Sequence, residues 1–180
     1  MSRIRYALVR ALAKRPNHGR ALAQLLASNQ TTIARTTHDL ESMNVIEHEL
    51  HGRNKVYALK DSIEARSMIV MAEHDALIEL LERVPMLRRI IERIQAHDTL
   101  AILFGSYAKG AQRAGSDIDL YLETNDRTVR DAIKRIDSRL HVIIGSFEES
   151  PLRSEIEHSH LIICGAERYE ALTRSARTRG

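Results

Sequence analysis

Two apolar runs near the middle of this 180-residue chain constrain its fold more than any other feature. The first, Leu100 to Phe104, ends on Gly105-Ser106. Ten residues later the second, 117–123, opens on Asp117-Ile118-Asp119. Each run has strand length and is too short for an ordinary helix. Alternation along the second sends Ile118, Leu120 and Leu122 into a core, so that both carboxylates project from the opposite face. Two carboxylates held this close repel one another and are stable with a cation between them. A hard ion such as Mg²⁺, which prefers oxygen ligands and keeps several waters, suits such a pair together with substrate phosphates. The Gly-Ser pair leaves one strand and opens a helix. Its backbone N–H groups and the Ser106 hydroxyl can take phosphate oxygens at the positive helix end, and Gly105 lets the backbone come close. Lys109, one turn on, adds positive charge. The combination describes a nucleoside triphosphate site.

The surrounding pattern extends this into a small α/β layer. Strands at 100–104, 117–123, 140–146 and 160–164 alternate with helices at 106–110, 127–138, 151–157 and 166–175. The stretch "LFGSYAKGAQRAGSDIDLYL", with the ending "SEIEHSHLIICGAERYEAL", resembles the minimal nucleotidyltransferases of the DNA polymerase beta superfamily across residues 99–173. The resemblance implies triphosphate binding by Gly105 and Ser106 and Mg²⁺ binding by Asp117 and Asp119. A nucleoside monophosphate would then pass from an NTP to a protein, RNA or small-molecule acceptor. That superfamily supplies a third carboxylate from the next strand. In "RLHVIIGSF" the equivalent position holds His141. A neutral imidazole can serve as a base there but substitutes poorly for an anionic Mg²⁺ ligand, and a strand residue without catalytic role is the other reading. Glu148 and Glu149 lie shortly beyond. His158-x-His160 lacks further ligands at suitable spacing, so structural or surface roles are expected for both. Cys164, beside Leu161-Ile162-Ile163, is expected to be buried.

The first sixty residues follow different rules. Ile4, Leu8, Val9 and Leu12 have helical spacing up to Pro16-Asn17-His18-Gly19. A second helix spans Arg20 to Ala27 and a third about Thr31 to Met43, with Asn44 at the left-handed cap position. Strands Val45–Leu50 and Lys55–Leu59 flank a turn, His51-Gly52-Arg53-Asn54. This pattern resembles a winged helix-turn-helix. The resemblance implies DNA contact by Thr31, Thr32, Arg35, Thr36 and His38 on the third helix and by Arg53 and Lys55 on the wing. Thr37 stands where an apolar residue is usual. His48 and His51 are expected to face solvent or phosphate. Charge agrees with a nucleic-acid footprint: residues 1–60 hold ten Lys/Arg against four Asp/Glu, a balance of +6 within a total of +3. Packing against protein is the alternative fate of such a module.

Between the two lies a helical segment, 61–98, with a capped start at Asp61-Ser62-Ile63-Glu64 and a break at Arg83-Val84 imposed by Pro85. Its apolar seam, Leu77, Leu80, Val84, Leu87, Ile91 and Ile94, packs on the neighbouring domains or on a second copy of the chain. The expected class is α+β: a winged helix-turn-helix (1–60), a helical linker (61–98), a small mixed-sheet nucleotidyltransferase fold (99–175) and a disordered basic tail (176–180). One cysteine, no signal-peptide core and no membrane-length apolar run place the expected protein in the cytoplasm. Two further functions compete with nucleotidyl transfer. One is a transcription regulator that senses nucleotide without turning it over; the other is an antitoxin-like partner.

Overall fold

The computed structural model describes residues 3–148 and 150–177. Two compact units, one built on the chain up to Asp75 and one on Ala76–Ala176, divide inside the long helix Ile63–Arg83. Glu149 and residues 178–180, the end of the expected tail, lie outside the described residues.

The first unit places helices α1 (Arg3–Lys14), α2 (Gly19–Leu25) and α3 (Gln30–Ser42) with a three-stranded antiparallel sheet of β1 (Asn17–His18), β2 (Ile46–His51) and β3 (Asn54–Leu59), in the order β1-β3-β2. Local chemistry sets the helix ends. Asn29 Oδ1 accepts the Thr32 N–H at 2.7 Å and starts α3. Asn44, at φ +61, ends it in the left-handed conformation expected of a cap, and Val45 N–H returns to the Leu40 carbonyl at 2.9 Å. The hairpin pairs His51 with Asn54, which tightens the expected four-residue turn to Gly52-Arg53. The two-residue strand β1 was not expected; it pairs Asn17 and His18 with Tyr57 and Val56. Leu8, Val9, Leu22, Ile33, Leu40, Val45 and Ile46 form the core. Thr37 joins them almost fully buried, its hydroxyl donating to the Ala34 carbonyl at 3.0 Å, so this polar group is accommodated without an orphaned donor.

In the second unit, helix α4 (Ile63–Arg83) stops where expected, because Pro85 disfavours helical geometry at Val84, which sits at φ −133 and ψ 69. A single 3-10 turn, Pro85–Leu87, leads into α5 (Arg88–Gln95). There follow β4 (Ala101–Leu103), α6 (Gly105–Ala108), β5 (Ile118–Glu123), α7 (Arg127–Lys134), β6 (Leu140–Gly145), α8 (Arg153–His158), β7 (Leu161–Cys164) and α9 (Ala166–Arg177). Helix α9 thus continues through Ala176 and Arg177, where the sequence suggested a tail. The sheet order is β6-β5-β4-β7. β5 and β6 are parallel, joined by the crossover through α7; the other two pairs are antiparallel.

Alternation divides the two faces of this sheet. Leu103, Leu120, Leu122, Leu140 and Val142 share one core with Leu77, Leu80, Val84, Leu87, Ile91 and Ile94. The heptad-like seam is therefore consumed by the unit's own sheet, each member contributing about 1.5–3 kcal/mol by leaving water. On the other face Tyr121, Phe147, Tyr169 and His160 form a series of tilted and edge-to-face rings with centroids 5.9, 5.5 and 4.7 Å apart. His160 is buried there, beside the Ile156 carbonyl at 2.9 Å from its Nδ1, which gives this residue a structural role. Cys164 is only partly buried. Its thiol donates to the Thr99 carbonyl, and desolvation raises its pKa.

Strand β6 is fixed at its start by Asp137 and Arg139. The carboxylate accepts from Arg139 Nε at 3.0 Å, Nη2 at 2.8 Å and the Arg139 backbone N–H at 2.9 Å. Hydrogen bonds from the Arg139 side chain and backbone lower the Asp137 pKa from 3.8 to about 2. The folded value lies below the unfolded one, so this stabilisation is complete above about pH 4 and is lost as pH falls through about 2. Asp137→Asn should lower stability at pH 7 by about 1–2 kcal/mol. It should also flatten the acid limb between these limits, both read from urea titrations at stepped pH.

Candidate functional site

The site lies where β4 ends beside β5 and β6. Parallel pairing sets Asp119 opposite His141, and the Phe104 N–H donates to the Asp119 carbonyl at 3.0 Å. One residue later Gly105 turns the chain into α6 at φ +67, a region that side chains rarely adopt. A Cβ at Gly105 would collide with Asp119 Oδ2 and sit 3.0 Å from its Cγ. Glycine is required there twice, by the backbone angle and by the carboxylate that occupies the space of a side chain. The second Asp119 oxygen, Oδ1, faces His141 Nδ1 at 3.3 Å. Asp119 is thus set between the Gly-Ser turn and the next strand, with its side chain 27% exposed against 63% for His141.

Asp117 stands one residue before β5 and outside it, where the sequence had placed it in the strand; it keeps the strand parity of Asp119 and is exposed. A tight turn delivers it. Ser116 Oγ accepts the Arg113 N–H at 2.8 Å, Ser116 N–H returns to the Arg113 carbonyl at 3.0 Å, and Gly115 takes φ +82. Ser106 lies in the first turn of α6, partly buried. Lys109 caps that helix with its Nζ 3.4 Å from Glu155 on α8, both side chains about half exposed. Nothing in the sequence tied these two residues, 46 positions apart, to one another.

The two aspartates are hard anionic donors of the kind that divalent cations share with phosphates. Among the described residues, no group of three or more His, Cys, Asp or Glu is arranged to hold a metal ion.

The first unit arranges its expected residues unevenly. Thr31, Arg35 and His38 are exposed on α3, and Arg53 and Lys55 are exposed on the hairpin; Thr32 is half-buried. Thr36 departs from expectation. It is 7% exposed and its hydroxyl donates to the Thr32 carbonyl at 2.8 Å, so it serves the helix and the core instead of an outer surface. Gln30 and Ala34, not singled out from sequence, share the outward side with Arg35. His48 is half-buried between Glu41 and Tyr57, away from the solvent position expected of it.

Two alanine substitutions separate backbone strain from the steric demand at Gly105. Gly115 has a similar left-handed angle, φ +82, with open space where a Cβ would project. Gly115→Ala should cost about 1 kcal/mol. Gly105→Ala should cost at least about 2–3 kcal/mol, because it adds displacement of a half-buried carboxylate. Thermal unfolding of the two variants side by side checks the difference.

Residues 84–163 match the nucleotidyltransferase domain family. No curated protein matches the chain. One solved structure, described as "Crystal structure of the toxin-antitoxin with AMP-PNP", is similar at 18% identity over 58% of this chain and 86% of that one, with a TM-score of 0.33. Among the described residues no helix is long and apolar enough to cross a membrane. The chain carries a nucleotidyltransferase domain at residues 84–163.

Proposed function

We propose that this protein transfers a nucleoside monophosphate from an NTP to a hydroxyl-bearing acceptor, with a DNA-binding winged helix-turn-helix in its first unit. The observation that carries the first half is the seating of Asp119 against Gly105, which leaves no room for a side chain between the turn and the carboxylate. Asp117 and Asp119 would hold Mg²⁺. The ion would supply charge neutralisation at the triphosphate. The Gly105–Ser106 turn binds and orients the phosphates. The acceptor oxygen attacks the α-phosphorus, its new O–P bond forming as the bond to the bridging oxygen breaks, and pyrophosphate departs with that electron pair. His141, 3.3 Å from Asp119 and otherwise open, is the group placed to take the acceptor proton. Catalysis of this kind rests on positioning and electrostatics more than on covalent chemistry.

The second unit also supports a competing reading, that of a nucleotide sensor without turnover. What favours it is His141 itself, an imidazole at the register position where the superfamily places a third carboxylate. Incubation with each labelled NTP, Mg²⁺ and cell extract separates the two. Label transferred by the wild type and reduced at least about 100-fold in Asp119→Asn is the expected result. Metal-dependent NTP binding with no transfer to any acceptor would replace the enzyme with the sensor.

For the first unit, support comes from the exposed cations Arg35, Arg53 and Lys55 and from the local excess of positive charge. Arg35→Ala should weaken DNA binding about tenfold. Affinity should fall steeply between about 50 and 200 mM salt, as phosphate contacts require. Binding indifferent to salt, measured by fluorescence anisotropy on random-sequence duplex, would remove DNA as the partner.

A further inference from the structure

We infer that the outer edge of β6 pairs with β6 of a second copy of this chain, antiparallel about a twofold axis. The sheet of the second unit ends on β7 at one side and on β6 at the other, and the two edges are finished differently. β7 has four residues, and its register with β4 skips Ile163, whose carbonyl accepts from Gln95 Nε2 at 2.8 Å. A short strand, a bulge and a side chain on an edge carbonyl all hinder the addition of another strand. β6 has none of these. Its six residues pair with β5 without a break, and Leu140–Gly145 contains no Pro, no Lys and no acid. Among the described residues, no hydrogen bond reaches the backbone of Val142 or Ile144 from beyond the sheet.

The register shows which backbone groups are left over. The Ile118 N–H donates to the Arg139 carbonyl at 2.8 Å, so Arg139 turns its C=O toward β5. Backbone groups alternate sides along a strand in a ladder. His141 and Ile143 therefore follow Arg139 inward, and Val142 and Ile144 direct their N–H and C=O outward. The Leu140 N–H agrees with this phase, since it returns to the Asp137 carbonyl at 3.1 Å. The side chains here are apolar, Val142 buried and Ile143 and Ile144 half-buried. Unpaired backbone groups in such a setting are a template for a further strand. A second β6 meets the requirement. It carries no acid, Lys or Arg, so twofold pairing sets no like charges opposite one another within the strands. The β7 edge of another copy is closed by its bulge and by Gln95, so association through this sheet ends at a dimer and does not run on as a fibre. β6 also carries His141. In an antiparallel pair the start of each strand lies near the end of the other, which brings the partner's strand beside His141.

The test is made on the full chain. Sedimentation over a range of protein concentrations should give a mass rising from 20.5 kDa toward twice that value. Amide exchange followed by NMR should slow at Val142 and Ile144 in the concentrated sample and speed up on dilution, while Ile143 stays protected in both. Ile144→Pro removes an outward donor and spares the ladder to β5, so it should abolish the dimer while thermal unfolding stays cooperative. Ile143→Lys brings like charges together near the twofold axis and should weaken association about tenfold. Should the proline variant fail to fold, the lysine variant and the wild-type exchange pattern decide. A wild type that stays monomeric at every concentration overturns the inference. A dimer in which the Val142 and Ile144 amides exchange freely, or one that survives both substitutions, overturns it as well, because the copies would then meet elsewhere.

Discussion

The contact between the Gly105 backbone and the Asp119 carboxylate governs the second unit. It needs a strand that ends in register with its neighbour, which the Phe104 N–H and Asp119 carbonyl provide. It also needs a residue with no side chain at φ +67. Any larger residue would fill the space of the carboxylate, and any shift of β4 against β5 would separate the turn from the acid. A backbone donor turn and an anionic group are thereby held side by side. In the proposed function such a pair presents its donors and its acid to one ligand, a phosphate with its cation, from the same side.

The apolar core makes that geometry rigid. Because side chains alternate along β5, Ile118, Leu120 and Leu122 cannot enter the core without presenting Asp119 and Tyr121 on the other face. The seam from Leu77 to Ile94 covers the first face, and the aromatic series through Tyr121 and Phe147 fills much of the second. The polar end of the second face, with Asp119 and His141, is left to the site. At the start of β6, Asp137 and Arg139 fix where His141 begins its pairing. Stability and site geometry here depend on the same few strand registers.

Much of the local structure was legible in the sequence because its causes are local. Asn44 ends α3 because a short polar side chain tolerates positive φ, and Pro85 ends α4 because it has no N–H and crowds the preceding residue. Period-two runs gave the strands of the second sheet to within a residue or two. What could not be read has non-local causes. Thr36 is the exception, a local cause overlooked: three residues after Ile33 and four before Leu40, it shares their helical phase and turns inward, where its hydroxyl bonds the Thr32 carbonyl. The approach of Glu155 on α8 to Lys109 could not be read either, since the two lie 46 positions apart. The seam of α4 and α5 had two admissible partners in the sequence, a second chain or a neighbouring domain, and folding supplied its own sheet.

The sequence alone determined the inventory: a glycine that can take a left-handed turn, acids spaced two apart, apolar periods of two and of three to four, and helix stops at Asn44 and Pro85. These follow from the conformational limits of single residues and from side-chain periodicity, and both act over a few positions. Tertiary structure decided which charges are answered, which polar groups turn inward, and that His141 stands beside Asp119. Those outcomes depend on pairing between residues tens of positions apart, and only the folded sheet brings such residues within reach of one another.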